Sequence, residues 1–304
     1  MAGTSMRDIK RRIRSVNSIE NITNAMRLVS SAKLRRARSL YERTQENLQM
    51  ILDRMDGIFQ GLETPARYLS GQRAVKRACY VIISSNRGLS GSYNSNVIKA
   101  AENEIEAAAT VGQEKPLLVC IGGKGLNYFR KRGYEIFSEY LSAPEDVGFS
   151  DAAGLAGPLM GLFKDGKIDE IKVVGTVFIS AMEQHAQVKR LLPFGVGGAG
   201  NPGGEDGPGN SSGGFLSPRE VEYEPDAEEV FSYLASKYVE IVIFQTIIEA
   251  AACEHAARRI AMQDATDSAH EMIESLELSF NRARQAAITR EIMEIVSGAA
   301  AVRK

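Results

Sequence analysis

The sequence predicts a mixed α/β protein: a long antiparallel coiled coil of the N- and C-terminal helices, plus a central Rossmann-like α/β domain with a mainly parallel sheet. Two long segments, from about Asp8 to Phe59 and from about Asp226 to Ser297, have helical spacing and no internal proline. Between them, short β-branched runs alternate with helix-like stretches, the pattern of a parallel sheet with crossover helices. The charge is also divided by position, although the net is only −1. Residues 1–47 carry 11 Lys and Arg against 4 Asp and Glu, while residues 219–304 carry 9 against 16, so the two ends are electrostatic complements.

The first helix belongs to an N-terminal region, 1–62. Its apolar positions Ile9, Ile13, Val16, Ile19, Ile22, Met26 and Val29 step by three or four. After a five-residue skip, Leu34, Ala37, Tyr41, Thr44, Leu48, Ile51, Met55 and Ile58 continue the stripe. A period near 3.5 over so many turns favours a supercoiled partner, and the skip predicts a local disturbance of the winding. That helix would span roughly 75 Å and the C-terminal one, in region 226–304, roughly 105 Å, so the C-terminal helix should overhang. The last helix carries Ala250, Ala251, Ala252, Ala257, Ala261, Ala265, Ala269, Ala283, Ala286 and Ala287 on the side expected to face its partner. Small residues there permit close approach. The chain closes on "ITREIMEIVSGAAAVRK", an apolar-striped rod with Ile288, Ile292, Ile295 and Val296 at helical spacing.

The central region is placed at 75–225. "ACYVIISS", "PLLVCIG", "YEIFSEYL" and "IKVVGTVFIS" read as strands, "AQVKRLLPF" as a further one, and 94–110, 123–132 and 152–165 as helices. Residues 195–214, "GVGGAGNPGGEDGPGNSSGG", are glycine-rich and read as a flexible surface loop.

Composition excludes several classes. Near-neutral net charge gives no whole-chain argument for nucleic acid. Cys79, Cys120 and Cys253 form no CxxC pair and read as reduced core thiols of a cytosolic protein. No run of signal-peptide length and no stretch of about 18 consecutive apolar residues is found, so any membrane association is expected to be peripheral, with no direct span. His185, His255 and His270 lack metal-ligand spacing, and His255 falls on the coil seam. No catalytic set, cofactor or metal site is nominated.

Three motifs remain open to two readings or more. "SSNRGLSGSYNSN" follows a strand and opens a helix, where backbone N–H groups can cradle phosphate. It lacks GxGxxG and GK[ST], which favours a tight turn needing Gly88 and Gly91. "IGGKG" is treated likewise: Lys124 can meet an anion, or the glycines simply serve the turn. "KLRRAR" offers a solvated face, a phosphate contact or pairing with acidic groups of a protein partner, and the nucleic-acid reading is the weakest of these.

Certain stretches are more specific. "ITREIMEIVSGAA", "IKRRIRSVNSIENITNAMRLVSSAKLRRA", "SNRGLSGSYNSNV" and "IAMQDATDSA" together make the chain resemble the gamma subunit of F-type ATP synthases over nearly its whole length. The resemblance implies a central rotor shaft with no catalysis or cofactor of its own. It implies three alpha and three beta subunits around the coil, catalysis on beta, and the epsilon subunit and the membrane c-ring against the α/β domain. It also implies a peripheral place on the cytoplasmic face of the cell membrane. By the same resemblance, Arg284 and Gln285 catch a beta-subunit loop and Met26 is a coupling position of the shaft. Lys33, Arg35 and Arg36 contact an acidic region of beta, and Ile288, Ile292, Ile295 and Val296 form a tip inside an apolar sleeve. The chain departs from many relatives at Asn86 and Ser90, where they have Asp and Cys. Residues 195–214 stand where chloroplast relatives insert a redox switch, and no cysteine occurs there. No dithiothreitol-dependent activation is therefore expected. The rival reading is a standalone nucleotide-binding α/β protein with coiled-coil arms.

Overall fold

A computed structural model describes residues 6–61, 68, 75–142, 146–194 and 227–302. The glycine-rich stretch 195–214 lies outside them. In chain order the elements are α1 (Met6–Gly61), β1 (Ala78–Ile83), α2 (Tyr93–Thr110), β2 (Leu117–Ile121) and α3 (Gly123–Lys131). They continue as β3 (Glu135–Tyr140), α4 (Phe149–Lys164), β4 (Glu170–Phe178), β5 (Gln184–Leu192) and α5 (Ala227–Val302). The chain divides into two compact units, one of residues 1–31 with 258–304 and one of residues 32–257.

The unit 32–257 is built on a five-stranded sheet in the order β3-β2-β1-β4-β5. The first four strands pair in parallel and β5 runs antiparallel to β4. β1 is buried along its whole length, so "ACYVII" has no polar face to show. A strand covered on both sides reads as a continuous β-branched run rather than an alternation. One side, with Tyr80, Ile82, Leu118 and Cys120, packs on Val97, Ala101 and Ile105 of α2 and Leu126 and Phe129 of α3. The other, with Cys79, Val81, Ile83, Val119 and Ile121, packs on Leu159 and Phe163 of α4 and on Phe231, Tyr238, Val242 and Ile243 of α5. Leu48 of α1 joins this second core.

One stretch of α5 is long and apolar enough to cross a bilayer by length and composition, and half of it is buried inside the fold. The sheet accounts for its apolarity, since Tyr238, Val239, Val242, Ile243 and Ile247 all belong to the core against it. Gly175 of β4 lets α5 approach, because a Cβ there would lie 2.7 Å from Thr246 Cγ2.

In the unit 1–31 with 258–304, α1 and α5 run antiparallel. Thr266 Oγ1 donates to Thr23 Oγ1 at 2.8 Å, and His270 Nδ1 lies 3.2 Å from Glu20 Oε1. The α1 seam expected from the apolar residues is corrected here. Ile19, Ile22 and Val29 are exposed, whereas Thr23 and Ser30 are buried and Glu20 is half-buried. The buried and half-buried positions 9, 13, 16, 20, 23, 27 and 30 step by four and three in turn. In the other unit, 34, 37, 41, 44 and 48 keep the same alternation, so the five-residue skip disappears. The backbone period is the stronger constraint: a continuous helix cannot shift its seam without a local change of winding. On α5 the facing positions 262, 266, 269, 273, 276, 280, 283 and 287 also alternate four and three.

The last helix does not stop at Ser297 but continues through Gly298 to Val302. A glycine inside a helix costs only about 1 kcal/mol relative to alanine, and the three alanines after it are the best helix formers.

Candidate partner interface

Seen from the residues upward, the exposed faces of the long helices are unlike ordinary solvated surface. Outside the seam just described, Ile19, Ile22, Leu28 and Val29 of α1 and Met272 and Leu278 of α5 all stand exposed. From Ile288 to Gly298 every residue of α5 is exposed. The tip residues Ile288, Ile292, Met293, Ile295 and Val296 are 48–68% accessible. Single exposed apolar residues are ordinary, but contiguous apolar surface marks an interaction site. The tip is free of α1 for a simple reason of register. Thr23 pairs with Thr266 and Glu20 with His270, so the start of α1 at Met6 comes level with about residue 283.

Arg284 and Gln285 sit at that level, both exposed. The Gln285 carbonyl accepts from Thr289 Oγ1 at 3.0 Å, while the Arg284 guanidinium engages no described residue. Met26 is half-buried on the edge of the seam, and its carbonyl accepts from the Ser30 hydroxyl at 2.8 Å. By the same register Met26 lies beside residues near 263, about 30 Å along α5 from Arg284 at 1.5 Å per residue. The structure therefore joins Arg284 and Gln285 to the tip and leaves Met26 apart.

Lys33, Arg35 and Arg36 are exposed on α1 in the other unit. Lys33 and Arg36 line a small cavity of about 120 Å³ with Leu40, Asp146, Ile248 and Ala251. Arg35 does not line it. The exposed Leu28, Met272, Leu278 and Met293 were missed by sequence reasoning. Their signal was that each falls outside the seam once that seam is traced at a strict 3.5 period.

At the switch point of the sheet, where β1 lies between β2 and β4, the motif after β1 spends polar groups on itself and on the neighbouring loops. Asn86 Oδ1 accepts from the Gly123 N–H at 2.8 Å, and Asn86 Nδ2 donates to the Leu141 carbonyl at 2.6 Å. Asn94 Oδ1 accepts from both the N–H and the hydroxyl of Ser85 at 3.0 and 2.9 Å. The positive-φ positions in the turn are Leu89 (65°) and Gly91 (55°), which corrects the expectation for Gly88. In "IGGKG", Gly122 at φ 95° is required outright, since a Cβ would fall 2.0 Å from the Ser84 carbonyl oxygen. Gly125 serves the same close packing, its N–H donating to Ser84 Oγ at 2.9 Å. These contacts favour the tight-turn reading of both motifs. Among the described residues no group of three or more His, Cys, Asp and Glu comes together as a metal site would require. His255 is buried and His270 faces Glu20 and Glu274.

Known proteins bear the same features. The family described as ATP synthase matches residues 5–302. A protein of Alkaliphilus metalliredigens named ATP synthase gamma chain is 42% identical over 99% of this chain and 100% of its own length. An Acetobacterium woodii protein named ATP synthase gamma chain, sodium ion specific, is 40% identical over 98% of this chain and 99% of its own. Among solved structures, the central stalk and c-ring of the Tetrahymena thermophila mitochondrial ATP synthase aligns with a TM-score of 0.57 at 21% identity, covering 80% of this chain and 99% of that one. A chain of the Euglena gracilis mitochondrial ATP synthase aligns at 0.60 and 16% identity, covering 98% and 94%. At those identities the structures speak for the fold alone. With both long helices, the sheet and the apolar tip inside a match of nearly full length, this chain belongs to the ATP synthase gamma chain family.

Proposed function

We infer that this chain is the central rotor shaft of a membrane-associated rotary ATP synthase and is non-catalytic. The observation that carries the reading is the family match over residues 5–302, which includes both long helices and the tip. The mechanism follows from the geometry. A shaft can put chemically identical catalytic sites into different states only by touching each one differently. The surface of unit 1–31 with 258–304 supplies such differences: apolar Ile19, Ile22 and Val29 on one helix, Met272 and Leu278 on the other, and polar Arg284 and Gln285 near the end.

The finer assignments belong to this proposal. Three alpha and three beta subunits surround the coil, and beta carries the catalysis. Arg284 and Gln285 catch a beta loop. Their exposure and the lack of an ion pair at Arg284 among the described residues support it. Ile288, Ile292, Ile295 and Val296 turn in an apolar sleeve, which explains exposed apolar residues on an ordered helix. Met26 acts in coupling, and Lys33, Arg35 and Arg36 meet acidic groups of beta. The α/β unit meets epsilon and the c-ring at the cytoplasmic face of the membrane. Region boundaries at 62, 75 and 225 separate the coil helices from the α/β part in this reading.

The test is a pull-down from detergent-solubilised membranes with a tag inserted between residues 200 and 210. ATPase activity should co-purify, with one tagged chain per three beta subunits. Recovery of the tagged chain alone, without ATPase, refutes the shaft reading.

A further inference from the structure

Within the unit 32–257, a cavity of about 200 Å³ opens on the α2 side of the sheet. Ser92 and Asn96 line it from the start of α2, Thr176 from β4, Gln184 from β5, and Met182 and Glu183 from the turn between those strands. Since α2 starts from the end of β1, the cavity stands at the carboxyl end of the sheet beside the β1–β4 switch point, where open α/β sheets bind their ligands.

Register fixes which way Thr176 faces. Side chains alternate across a strand. Val174 shares a core with Val97 and Ala101 of α2, and Gly175 meets Thr246 of α5 on the other side. Thr176 therefore faces α2, together with its cross-strand partner Ala186, which lines the same cavity. Thr176 is 3% exposed, yet its Oγ1 has no hydrogen-bond partner among the described residues. A buried hydroxyl without a partner is rare and calls for an explanation.

The rest of the wall holds unspent hydrogen-bonding groups of both senses. Gln184 Nε2 donates to the Ser180 and Ala181 carbonyls at 3.4 and 3.3 Å, while its Oε1 accepts from no described residue. Asn96 Nδ2 reaches Ser92 Oγ only at 3.4 Å, and Asn96 Oδ1 accepts from no described residue. The Ser92 side chain stands at the N-cap of α2 without capping it. Charge then selects among ligands. No Lys or Arg is among the described lining residues, whereas Glu183 is, its carboxylate 3.0 Å from His185 Nε2. An inorganic anion would find no cation on the wall, and a cation would meet the positive end of α2. Hydroxyls and carboxamides donate and accept alike, so they match a neutral ligand whose own groups do both.

We propose that this cavity binds a small neutral polyol, a sugar alcohol or a pentose, with its hydroxyls on Thr176 Oγ1, Gln184 Oε1 and Asn96 Oδ1. Because α2, β4 and β5 each contribute to the wall, an occupant would tie the start of α2 to the β4–β5 hairpin.

The test is saturation-transfer-difference NMR on the full-length chain, with erythritol and D-ribose as probes. Butane-1,4-diol, which has the carbon chain of erythritol without its inner hydroxyls, and inorganic phosphate are the comparators. Both polyols should bind, and the diol should bind at least about tenfold more weakly, or ~1.4 kcal/mol. Thr176→Val keeps the shape of the side chain and should weaken polyol binding at least about fivefold. It removes a buried hydroxyl that has no partner, so the denaturant midpoint should not fall. Gln113→Ala, outside the cavity, should leave binding unchanged. A second readout needs no cavity variant in the binding sample. With ¹³C-methyl-labelled methionine, the Met182 resonance, assigned by its loss in Met182→Leu, should shift on saturation. No transfer to either polyol, as expected where water alone serves Thr176, would overturn the proposal. So would equal affinity for the diol, displacement of erythritol by phosphate, unaltered affinity in Thr176→Val, or an unmoved Met182 resonance.

Discussion

Cys79, Cys120 and Cys253 are wholly buried, and burial pushes each thiol from 9 up to about 12. A group whose folded pKa is raised favours the folded state fully below its unfolded value, and that contribution is lost as pH rises. Here the window runs from about 9, where thiols of the unfolded chain ionise, to about 12, where the folded ones would. The chain should therefore unfold more readily across that alkaline range. At neutral pH a disulfide reagent should label no thiol in the native chain and three after guanidinium, and prompt native labelling would contradict the burial. The thiols were legible in the sequence because Cys79 and Cys120 sit inside β-branched runs. The cavity of about 300 Å³ in the unit 32–257 that Lys189 and Glu249 both line was not. Its two charges lie 60 residues apart, and only the pairing of β4 with β5 and the packing of α5 on β4 bring them to one wall.

Among the elements, strands and short helices were readable to within a few residues, because a fully covered strand must be a β-branched run bounded by turn residues. The coil seam was misread for a physical reason. Ile19, Ile22 and Val29 attract any reading based on hydrophobicity, yet the helical period carries Glu20, Thr23 and Ser30 into the interface instead. Apolar residues at a surface meant for a partner are indistinguishable by composition from residues of an internal seam. Two substitutions separate the readings. Ile273→Ala, at a buried seam position, should cost about 2–4 kcal/mol, and Ile19→Ala, at an exposed one, within about 0.5 kcal/mol. Denaturant unfolding followed by far-ultraviolet circular dichroism measures both, and the reverse order would restore the apolar seam. The Glu20–His270 contact adds little to this comparison, because exposed pairs are worth about 0–1 kcal/mol.

At the scale of the whole molecule, stability and function are expected to separate at the tip. Residues after Ile288 contact nothing among the described residues of α1, so their deletion should leave the thermal unfolding of the isolated chain within about 1 °C of the full chain. The same deletion should lower the torque or the yield of the assembled complex. Loss of the isolated chain's unfolding transition would show that the tip belongs to the fold. The family and the fold class were readable from the whole sequence because charge, period and several long motifs agreed. The unpartnered Thr176 hydroxyl was readable from none of them, because a hydroxyl's lack of a partner is a property of three dimensions.

The unbroken alternation of fours and threes along positions 9 to 30 and 262 to 287 has a mechanical meaning. A 3.5-residue period winds two helices into a left-handed rope. Such a rope is chiral, so it does not answer equal twists of opposite sense equally. Twisting with the lay drives Met262, Ala269 and Ile273 harder against α1, where close-packed side chains yield little. Twisting against the lay opens the same seam and stretches the Thr266–Thr23 hydrogen bond and the Glu20–His270 contact across it. The elastic response of this part of the chain is therefore that of a ratchet-like spring, stiffer in one sense of rotation than in the other.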